Sequence, residues 1–224
     1  MSETVKIKAG DGHELDLYVA RSSGDPIAGL VVIQEIFGVN RHIRSIADAY
    51  AKDGFLTVAP ALFDRVERGV DLTYEGEDAQ KAMALMQRLE ISSALLDVDA
   101  ALAFARKKSG NKAGVIGYCL GGLLAWLSAT RLNPSVAVGY YAGRIGNYAD
   151  ETPLAPTQLH FGKLDTHIPA EHVERVRAAH PEVEIYWYDG AGHGFNCDLR
   201  ASYNAQAAAL ARGRALAFLK AHLT

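Results

Sequence analysis

Short apolar runs, rich in β-branched and aromatic residues, alternate along the chain with longer segments in which apolar residues recur at helical spacing. The runs predict strands at 29–34, 55–59, 112–117, 135–140, 157–161 and 183–188, after an antiparallel hairpin at 4–8 and 14–20. The helical spacing predicts helices at 40–52, 77–89, 91–108, 120–131, 170–179 and 202–222. This alternation is typical of an α/β protein with a mostly parallel central sheet and helices on both faces.

One long stretch, 65–80, has neither period and is polar and charged (RVERGVDLTYEGEDAQ). Irregular segments of this kind often cover or line a site, although an ordinary surface loop has the same composition. No repeat, low-complexity tract or linker interrupts the rest of the sequence, and 224 residues with 49% hydrophobic content suffice for a substantial core. We therefore predict a single domain spanning 1–224.

Charge and hydropathy limit the kinds of molecule that the protein is expected to bind. The net charge is only −3 and the Lys and Arg residues are scattered, which gives no basic surface for nucleic acid or an anionic membrane. A small molecule is therefore the expected partner. The opening MSETVKIKAGDG lacks the apolar core of a secretion signal and no apolar run is long enough to span a membrane, so a cytoplasmic protein is expected. No long exposed apolar helix face is predicted, so we expect a monomer.

A cysteine lies in a glycine-flanked turn between a predicted strand and a predicted helix (GVIGYCLGGLLAW, 114–126). Residues 117–121 fit the G-x-S-x-G nucleophile elbow of hydrolases, with Cys119 in place of the serine. The glycines suit a strained turn that leaves no room for neighbouring Cβ atoms, and the N-terminus of the following helix favours a thiolate. The alternative is a buried structural cysteine after a strand.

A cysteine nucleophile needs a base and a residue that orients the base, and both follow in the order typical of such hydrolases. Asp165 comes in the loop after the strand at 157–161, and His193 in the Gly-rich loop after the strand at 183–188. Asp165 could instead cap the next helix, and His193 could be an ordinary turn residue. His167 is the competing base, but it lies too close to Asp165 in sequence to accept an orienting bond easily.

A second cluster follows the strand at 29–34. Glu35 comes where a strongly apolar strand ends, and a carboxylate is costly to bury there without partners. The backbone N–H of Ile36, in the loop that follows, is a candidate oxyanion donor together with the N–H of Leu120. The alternative for Glu35 is a structural ion pair with Arg41 or Arg44.

Four blocks in this order and spacing resemble the dienelactone hydrolase (carboxymethylenebutenolidase-like) family of the α/β-hydrolases: VVIQEIFGVNRHIRSIADAYAKDGFLTVAPALFDR, GVIGYCLGG, GKLDTHIP and GAGHGFNCD. The resemblance implies an α/β-hydrolase fold and hydrolysis of a small ester or enol-lactone through an acyl-cysteine, with Cys119, His193 and Asp165 as the triad. It also implies that the carboxylate of Glu35 holds the resting thiol until substrate binds. No metal or organic cofactor is implied, and the sequence shows no metal-ligand cluster.

Two positions depart from the family's pattern. Members that act on dienelactones carry two arginines that hold the substrate carboxylate, and the matching positions here are Cys197 and Ala79. Arg200 and Lys81 lie nearby in sequence. Either cation could replace a missing arginine only if a turn or the phase of the helix brought it round.

Further candidate substrate-binding residues come from the irregular segment and from the turn after the strand at 135–140. They are Arg65, Tyr74, Tyr141 and Arg144. Each could equally be a surface or packing residue. Cys197 could line the pocket near Cys119 or be a small buried apolar residue.

Three classes of function stay open at this point. The first is a cofactor-independent hydrolase of a small ester or lactone, and the second is an acyltransferase or thioesterase that uses the same triad. The third is a non-catalytic binding protein, or a redox sensor that pairs Cys119 with Cys197. The two cysteines form no CxxC motif and are expected to be free thiols. The presence of all triad residues favours the hydrolase.

Overall fold

The strands of the computed structural model, which describes residues 2–110 and 112–224, are β1 (Ser2–Lys8), β2 (Glu14–Ala20), β3 (Gly29–Ile33), β4 (Leu56–Pro60), β5 (Ala113–Tyr118), β6 (Ala137–Tyr140), β7 (Thr157–Gly162) and β8 (Glu184–Tyr188). The helices are α1 (Arg41–Lys52), α2 (Gly76–Arg88), α3 (Ile91–Ser109), α4 (Leu120–Arg131), α5 (Ala170–Ala179) and α6 (Ala205–Leu223). Every predicted strand and helix is present. The largest shift of an end is at α6, which begins at Ala205 instead of 202.

Short 3-10 helices at Leu62–Arg65 and Ile145–Tyr148 were not predicted, because a single turn is too short to show a hydrophobic period. The described helices include none with the length and hydropathy that a membrane span requires.

The strands form an eight-stranded sheet in the order β1-β2-β4-β3-β5-β6-β7-β8. Strands β3 to β8 are parallel, whereas β1 and β2 form an antiparallel hairpin that joins the sheet through antiparallel pairing of β2 with β4. The chain moves from β3 to β4 in one direction along the sheet and then returns to place β5 on the other side of β3. Ligands of open α/β sheets bind at the carboxyl ends of the strands beside such a reversal.

Helices cover both faces of the sheet, as predicted. A Cβ added at Gly29 of β3 would lie 2.8 Å from the Ala105 side chain of α3. Gly114 of β5 is paired with Leu30, the position after Gly29, and a Cβ there would lie 3.4 Å from Leu223 of α6. Neighbouring strand positions point to opposite faces, so α3 and α6 lie on opposite sides. The residues of β3, β4, β5 and β6 are buried throughout, as expected for strands covered on both faces.

The irregular segment is held against the loop after β3. Gly38 and Asp71 form an isolated antiparallel bridge, and the Leu72 N–H donates to the Phe37 carbonyl at 3.0 Å. Gly38 has φ +81°, and a Cβ there would lie 2.0 Å from the Val70 carbonyl oxygen. The close approach therefore requires glycine, and it brings the end of this segment to the carboxyl edge of the sheet.

Candidate active site

Cys119 occupies a strained turn between β5 and α4. Its backbone has φ 56° and ψ −112°, a conformation that is rare for a residue with a side chain. A Cβ at Gly117 would lie 1.9 Å from the Gly121 carbonyl oxygen, and a Cβ at Gly121 would lie 2.2 Å from the carbonyl oxygen of Ile33. Both flanking positions therefore require glycine. The half-buried thiol lies at the N-terminus of α4, where the helix dipole favours negative charge.

The structure brings Cys119, His193 and Asp165 into one hydrogen-bonded chain. The Sγ atom of Cys119 lies 3.2 Å from Nε2 of His193, and Nδ1 of His193 lies 2.8 Å from Oδ2 of Asp165. His167 uses its backbone N–H to donate to the other oxygen, Oδ1, at 2.8 Å, while its side chain is exposed. The competing histidine thus holds the carboxylate in place and leaves its second oxygen to His193.

The charges within this chain of residues are complementary. Burial alone would lower the pKa of His193, but its hydrogen bonds with Asp165 and Cys119 raise that pKa to about 10. Burial would raise the pKa of Asp165, whereas the hydrogen bond with His193 lowers it. Asp165 is therefore ionised and His193 favours the imidazolium form. An adjacent imidazolium is the group that stabilises a cysteine thiolate.

The backbone N–H of Leu120 lies beside the thiol, and the loop that carries the second candidate donor, Ile36, follows a strand that contacts α4. Leu120 is the first residue of α4, so its N–H has no acceptor within the helix. The first turn of α4 touches the end of β3, because a Cβ at Gly121 would also lie 2.6 Å from the Gln34 carbonyl oxygen. This contact brings the loop that carries Ile36 next to Leu120. The side chain of Gln34 fixes the loop, since its Oε1 accepts from the Leu62 N–H at 3.1 Å.

Glu35 is almost completely buried, and its partners differ from those expected. Oε2 accepts a 2.9 Å hydrogen bond from the Tyr74 hydroxyl, and Oε1 lies 3.7 Å from Nη1 of Arg200. No hydrogen bond joins Glu35 to Cys119 within the described part of the chain, since the thiol is bonded to His193. The alternative prediction, an ion pair of Glu35 with Arg41 or Arg44, named the wrong arginine, because the arginine beside Glu35 is Arg200. Arg44 pairs with Asp71 instead.

Tyr74 and Arg200 reach the site from distant parts of the sequence. The Tyr74 hydroxyl also accepts from Nδ2 of Asn40 at 3.2 Å. Arg200 is brought back by a turn in which its N–H donates to the Cys197 carbonyl, and its guanidinium lies over the Tyr74 ring, 5.3 Å from the centroid. A Cβ at Gly194, the residue after His193, would lie 2.5 Å from Nη1 of Arg200. The cation therefore lies directly beside the triad.

Tyr141 packs against the triad from β6. Its ring centroid lies 5.1 Å from that of His193, and its backbone has φ 36°. The side chain is fully buried. This contact fits either predicted role of Tyr141, as a wall of the pocket or as a packing residue behind the base.

Other predicted substrate-binding residues have different partners. The guanidinium of Arg65 binds two carboxylates of the protein instead of facing an open pocket. It lies 2.7 Å from the fully buried carboxylate of Asp97 in α3 and 2.7 Å from that of Asp11 in the hairpin turn. Lys81, the candidate to replace the arginine expected at position 79, is exposed and pairs with Glu67 at 2.5 Å. Arg144 is exposed in the turn after β6. Ala79 lies half-buried on α2.

Sequence reasoning missed Asn40 and His42, and it did not identify the polar neighbours of Cys197. Asn40 caps α1 through its Oδ1 and ties Tyr74 to that helix. An Asn directly before a periodic segment is a recognised N-cap signal that could have identified it. Cys197 is fully buried, but among polar groups, with Glu35 and His42 nearby. Nothing in the local sequence of Cys197 indicates these neighbours, which come from other elements.

Comparison with known proteins finds relatives that match this chain in sequence and in fold. The model of the dienelactone hydrolase family matches residues 15–223. A carboxymethylenebutenolidase of Pseudomonas putida is 34% identical over 227 residues, covering 98% of this chain and 96% of the relative. An Azospirillum brasilense protein provisionally given the same name is 37% identical, covering 98% of each. The crystal structure of a provisionally assigned dienelactone hydrolase from Klebsiella pneumoniae subsp. pneumoniae superposes with a TM-score of 0.85 at 28% identity, covering 98% of both chains. The α/β-hydrolase fold predicted from the sequence is confirmed.

Proposed function

Because the chain belongs to the dienelactone hydrolase family, and is thereby a carboxylic ester hydrolase, we propose that it cleaves a small ester or enol-lactone through an acyl-cysteine intermediate on Cys119. The observation that carries this proposal is the continuous hydrogen-bonded chain from Cys119 through His193 to Asp165. The strained elbow supports it, because a buried structural cysteine would gain nothing from such a conformation.

The first half of the reaction acylates the enzyme. The thiolate of Cys119 attacks the substrate carbonyl carbon, and a C–S bond forms as the carbonyl π electrons move to oxygen. The N–H groups of Leu120 and Ile36 stabilise that oxyanion. When the tetrahedral intermediate collapses, the C–O bond to the leaving alcohol or enol breaks, and the His193 imidazolium gives the departing oxygen its proton.

The second half returns the enzyme to its starting state. Neutral His193 takes a proton from water, and the hydroxide formed attacks the thioester carbonyl. The C–S bond then breaks, the acid product leaves, and His193 remains protonated beside the Cys119 thiolate. Asp165 keeps Nδ1 of the imidazole occupied throughout, so that Nε2 is the nitrogen that exchanges protons. No cofactor enters these steps.

In this proposal, Arg200 determines which class of substrate the enzyme prefers. Its guanidinium lies beside Gly194 and therefore next to His193, where it can bind a carboxylate on the substrate. The Tyr74 ring lies against this guanidinium, and the buried Tyr141 ring packs against His193. Arg200 would thus perform the function that the family assigns to arginines at the positions occupied here by Cys197 and Ala79. The favoured substrate is an ester or enol-lactone that carries a free carboxylate.

The test is the kcat/KM of the wild type and of Cys119→Ala with a dienelactone and with an uncharged aryl ester. We expect Cys119→Ala to lose turnover of both substrates while circular dichroism and Tm stay close to those of the wild type. Rapid quenching of the wild type should give a mass increase equal to the acyl group on the peptide that contains Cys119. Substantial activity of Cys119→Ala would exclude the mechanism.

The same experiment separates hydrolysis from acyl transfer. An added alcohol competes with water for the acyl-cysteine, so the ratio of transester to free acid reports which acceptor the site favours. We expect free acid to dominate at millimolar alcohol. Transester as the main product under these conditions would identify an acyltransferase.

A further inference from the structure

Glu35 belongs to a buried cluster of three side chains of the types that bind metal ions. One oxygen of Glu35, one ring nitrogen of His42 and Sγ of Cys197 all lie within 4.8 Å of one another. All of these residues are buried, with His42 only 3% exposed. Glu35 follows β3, His42 lies in the first turn of α1, and Cys197 follows the loop that carries His193. The cluster is therefore assembled from separate elements.

Three polar atoms of this cluster lack hydrogen-bond partners among the described residues, whereas Oε2 of Glu35 accepts from the Tyr74 hydroxyl. Neither ring nitrogen of His42 has one among residues 2–110 and 112–224, and the same is true of Oε1 of Glu35. A buried polar atom without a partner costs about 1–3 kcal/mol, so folded proteins rarely retain several in one place without a ligand. A second group, formed by Asp165, His167 and His193, differs in this respect. Both oxygens of Asp165 and Nδ1 of His193 are already used by hydrogen bonds at the triad, and the ring of His167 is exposed to solvent.

We propose that Glu35, His42 and Cys197 form a binding site for a divalent transition-metal ion of the Zn²⁺ class. Thiolate, imidazole and carboxylate are the ligands of Zn²⁺ in proteins, whereas Mg²⁺ and Ca²⁺ prefer oxygen ligands alone. With one carboxylate and one thiolate, the ligands balance the charge of the ion. A water molecule completes the tetrahedral set.

The surroundings of His42 also suit a ligand. Burial lowers the pKa of His42, which keeps the imidazole in the neutral form that binds metals. Oδ1 of Asp198 lies 3.8 Å from Nδ1 of His42, close enough for a small rotation to make the carboxylate–histidine contact that orients metal-bound imidazoles. A cavity of about 260 Å³ between α1 and α6 is lined by both residues.

Two features of the cluster oppose binding and set its expected behaviour. The Cys197 thiol is buried and must lose its proton to bind a metal, so binding will strengthen as pH rises. Arg200 lies 3.7 Å from Oε1 of Glu35 and repels a cation there. Removal of this charge by Arg200→Met should therefore tighten metal binding.

Co²⁺ is the probe for this site, because a Co²⁺–thiolate bond gives a near-ultraviolet charge-transfer band and tetrahedral Co²⁺ absorbs strongly in the visible. The experiment uses the full-length Cys119→Ser variant, in which Cys197 is the only thiol. We expect both bands to saturate at one equivalent of Co²⁺ and to disappear when Zn²⁺ is added. Absence of the charge-transfer band at tenfold excess Co²⁺ would overturn the proposal.

Variants in the same background identify the ligands. Cys197→Ser should abolish the charge-transfer band, and His42→Asn should weaken binding by about 100-fold, while Asp198→Asn should weaken it by about 10-fold. His167→Ala, which removes a ligand only from the second group, is the matched control and should change nothing. If Cys197→Ser fails to fold, His42→Asn and Glu35→Gln carry the test. Undiminished binding in His42→Asn, or loss of binding in His167→Ala, would disprove the assignment.

Discussion

Arg200 and Glu35 face each other beside the triad, with Nη1 of the guanidinium 3.7 Å from Oε1 of the carboxylate. The guanidinium also lies 5.9 Å from the centroid of the Phe37 ring and 5.3 Å from that of Tyr74, so aromatic faces hold its orientation. The distance to Oε1 is too long for a hydrogen bond. Arg200 is therefore fixed in orientation but makes no hydrogen bond to Glu35. In the proposed mechanism, a substrate carboxylate replaces Glu35 as its partner.

Arg200→Ala should raise KM for an ester that carries a carboxylate by roughly 10- to 100-fold, because a hydrogen bond to a charged group is lost. KM for a neutral aryl ester should change little, and Arg200→Lys should recover only part of the affinity, since lysine lacks the planar fork. Steady-state kinetics on the matched pair of esters measure both effects. Arg177→Ala, which removes an exposed arginine of α5 that pairs with Glu174, is the control. Equal losses on the two esters would argue against a carboxylate clamp.

Arg65 has a structural role, and its removal should affect stability rather than turnover. Arg65→Met leaves the fully buried Asp97 without a counter-charge, which costs about 3–5 kcal/mol. The double variant Arg65→Met, Asp97→Leu should recover much of this loss. Urea unfolding measures the change, and kcat/KM well below Tm should match the wild type. Arg21→Met, from an exposed pair with Glu3, should cost less than about 1 kcal/mol. A stable but inactive Arg65→Met would restore this residue to the pocket.

Gly121→Ala tests the elbow. The new Cβ would meet the carbonyl oxygens of Ile33 and Gln34 at 2.2 and 2.6 Å, and backbone atoms cannot rotate away as a side chain can. We expect a loss of at least about 1–3 kcal/mol in the free energy of unfolding, with loss of ester turnover. Gly213→Ala in α6, where a new Cβ has open space, should instead be neutral or slightly stabilising. A stable and active Gly121→Ala would show that the turn tolerates a Cβ.

The sheet and the order of the triad could be predicted because they depend on local patterns. Apolar period identifies strands and helices, and the ends of parallel strands meet at one edge, so residues such as Asp165 and His193 fall together whatever the loop details. The glycines on either side of Cys119 indicate a turn with no room for a Cβ atom. These parts of the site are consequences of short stretches of sequence.

The partners of Glu35 could not be predicted, because they depend on how irregular segments fold back. Tyr74 reaches Glu35 only because its segment is fixed to Gly38, and Arg200 only because a turn follows Cys197. Neither contact is reflected in a hydrophobic periodicity or a motif of the sequence. The ion pair of Arg65 could not be predicted for the same reason, since its partner Asp97 lies on an apolar helix with no local sign of pairing.

His160 makes the stability of the fold sensitive to acid. It lies inside β7, stacked on Tyr140 at 4.4 Å, and its ring nitrogens are hydrogen-bonded to Tyr188 and Gln158 at 2.8 and 2.9 Å. Burial lowers its pKa from 6.5 to about 3, and the charge of Arg214 contributes. Between these two values the unfolded chain binds a proton that the folded chain does not, so the free energy of unfolding must fall as pH decreases from 6.5 towards 3.

His160→Gln should remove this part of the acid sensitivity, because glutamine keeps hydrogen-bonding capacity but does not titrate. The contribution is at most about 1.4 kcal/mol per pH unit, and it is absent above pH 6.5, where both states are neutral. Urea unfolding of the wild type and His160→Gln at pH 4, 5, 6 and 8 measures it. The difference in unfolding free energy should shift in favour of the variant as pH falls. Replacement of the exposed His167 by Gln should leave the profile of the wild type unchanged, and parallel profiles for wild type and His160→Gln would mean that His160 is protonated inside the fold.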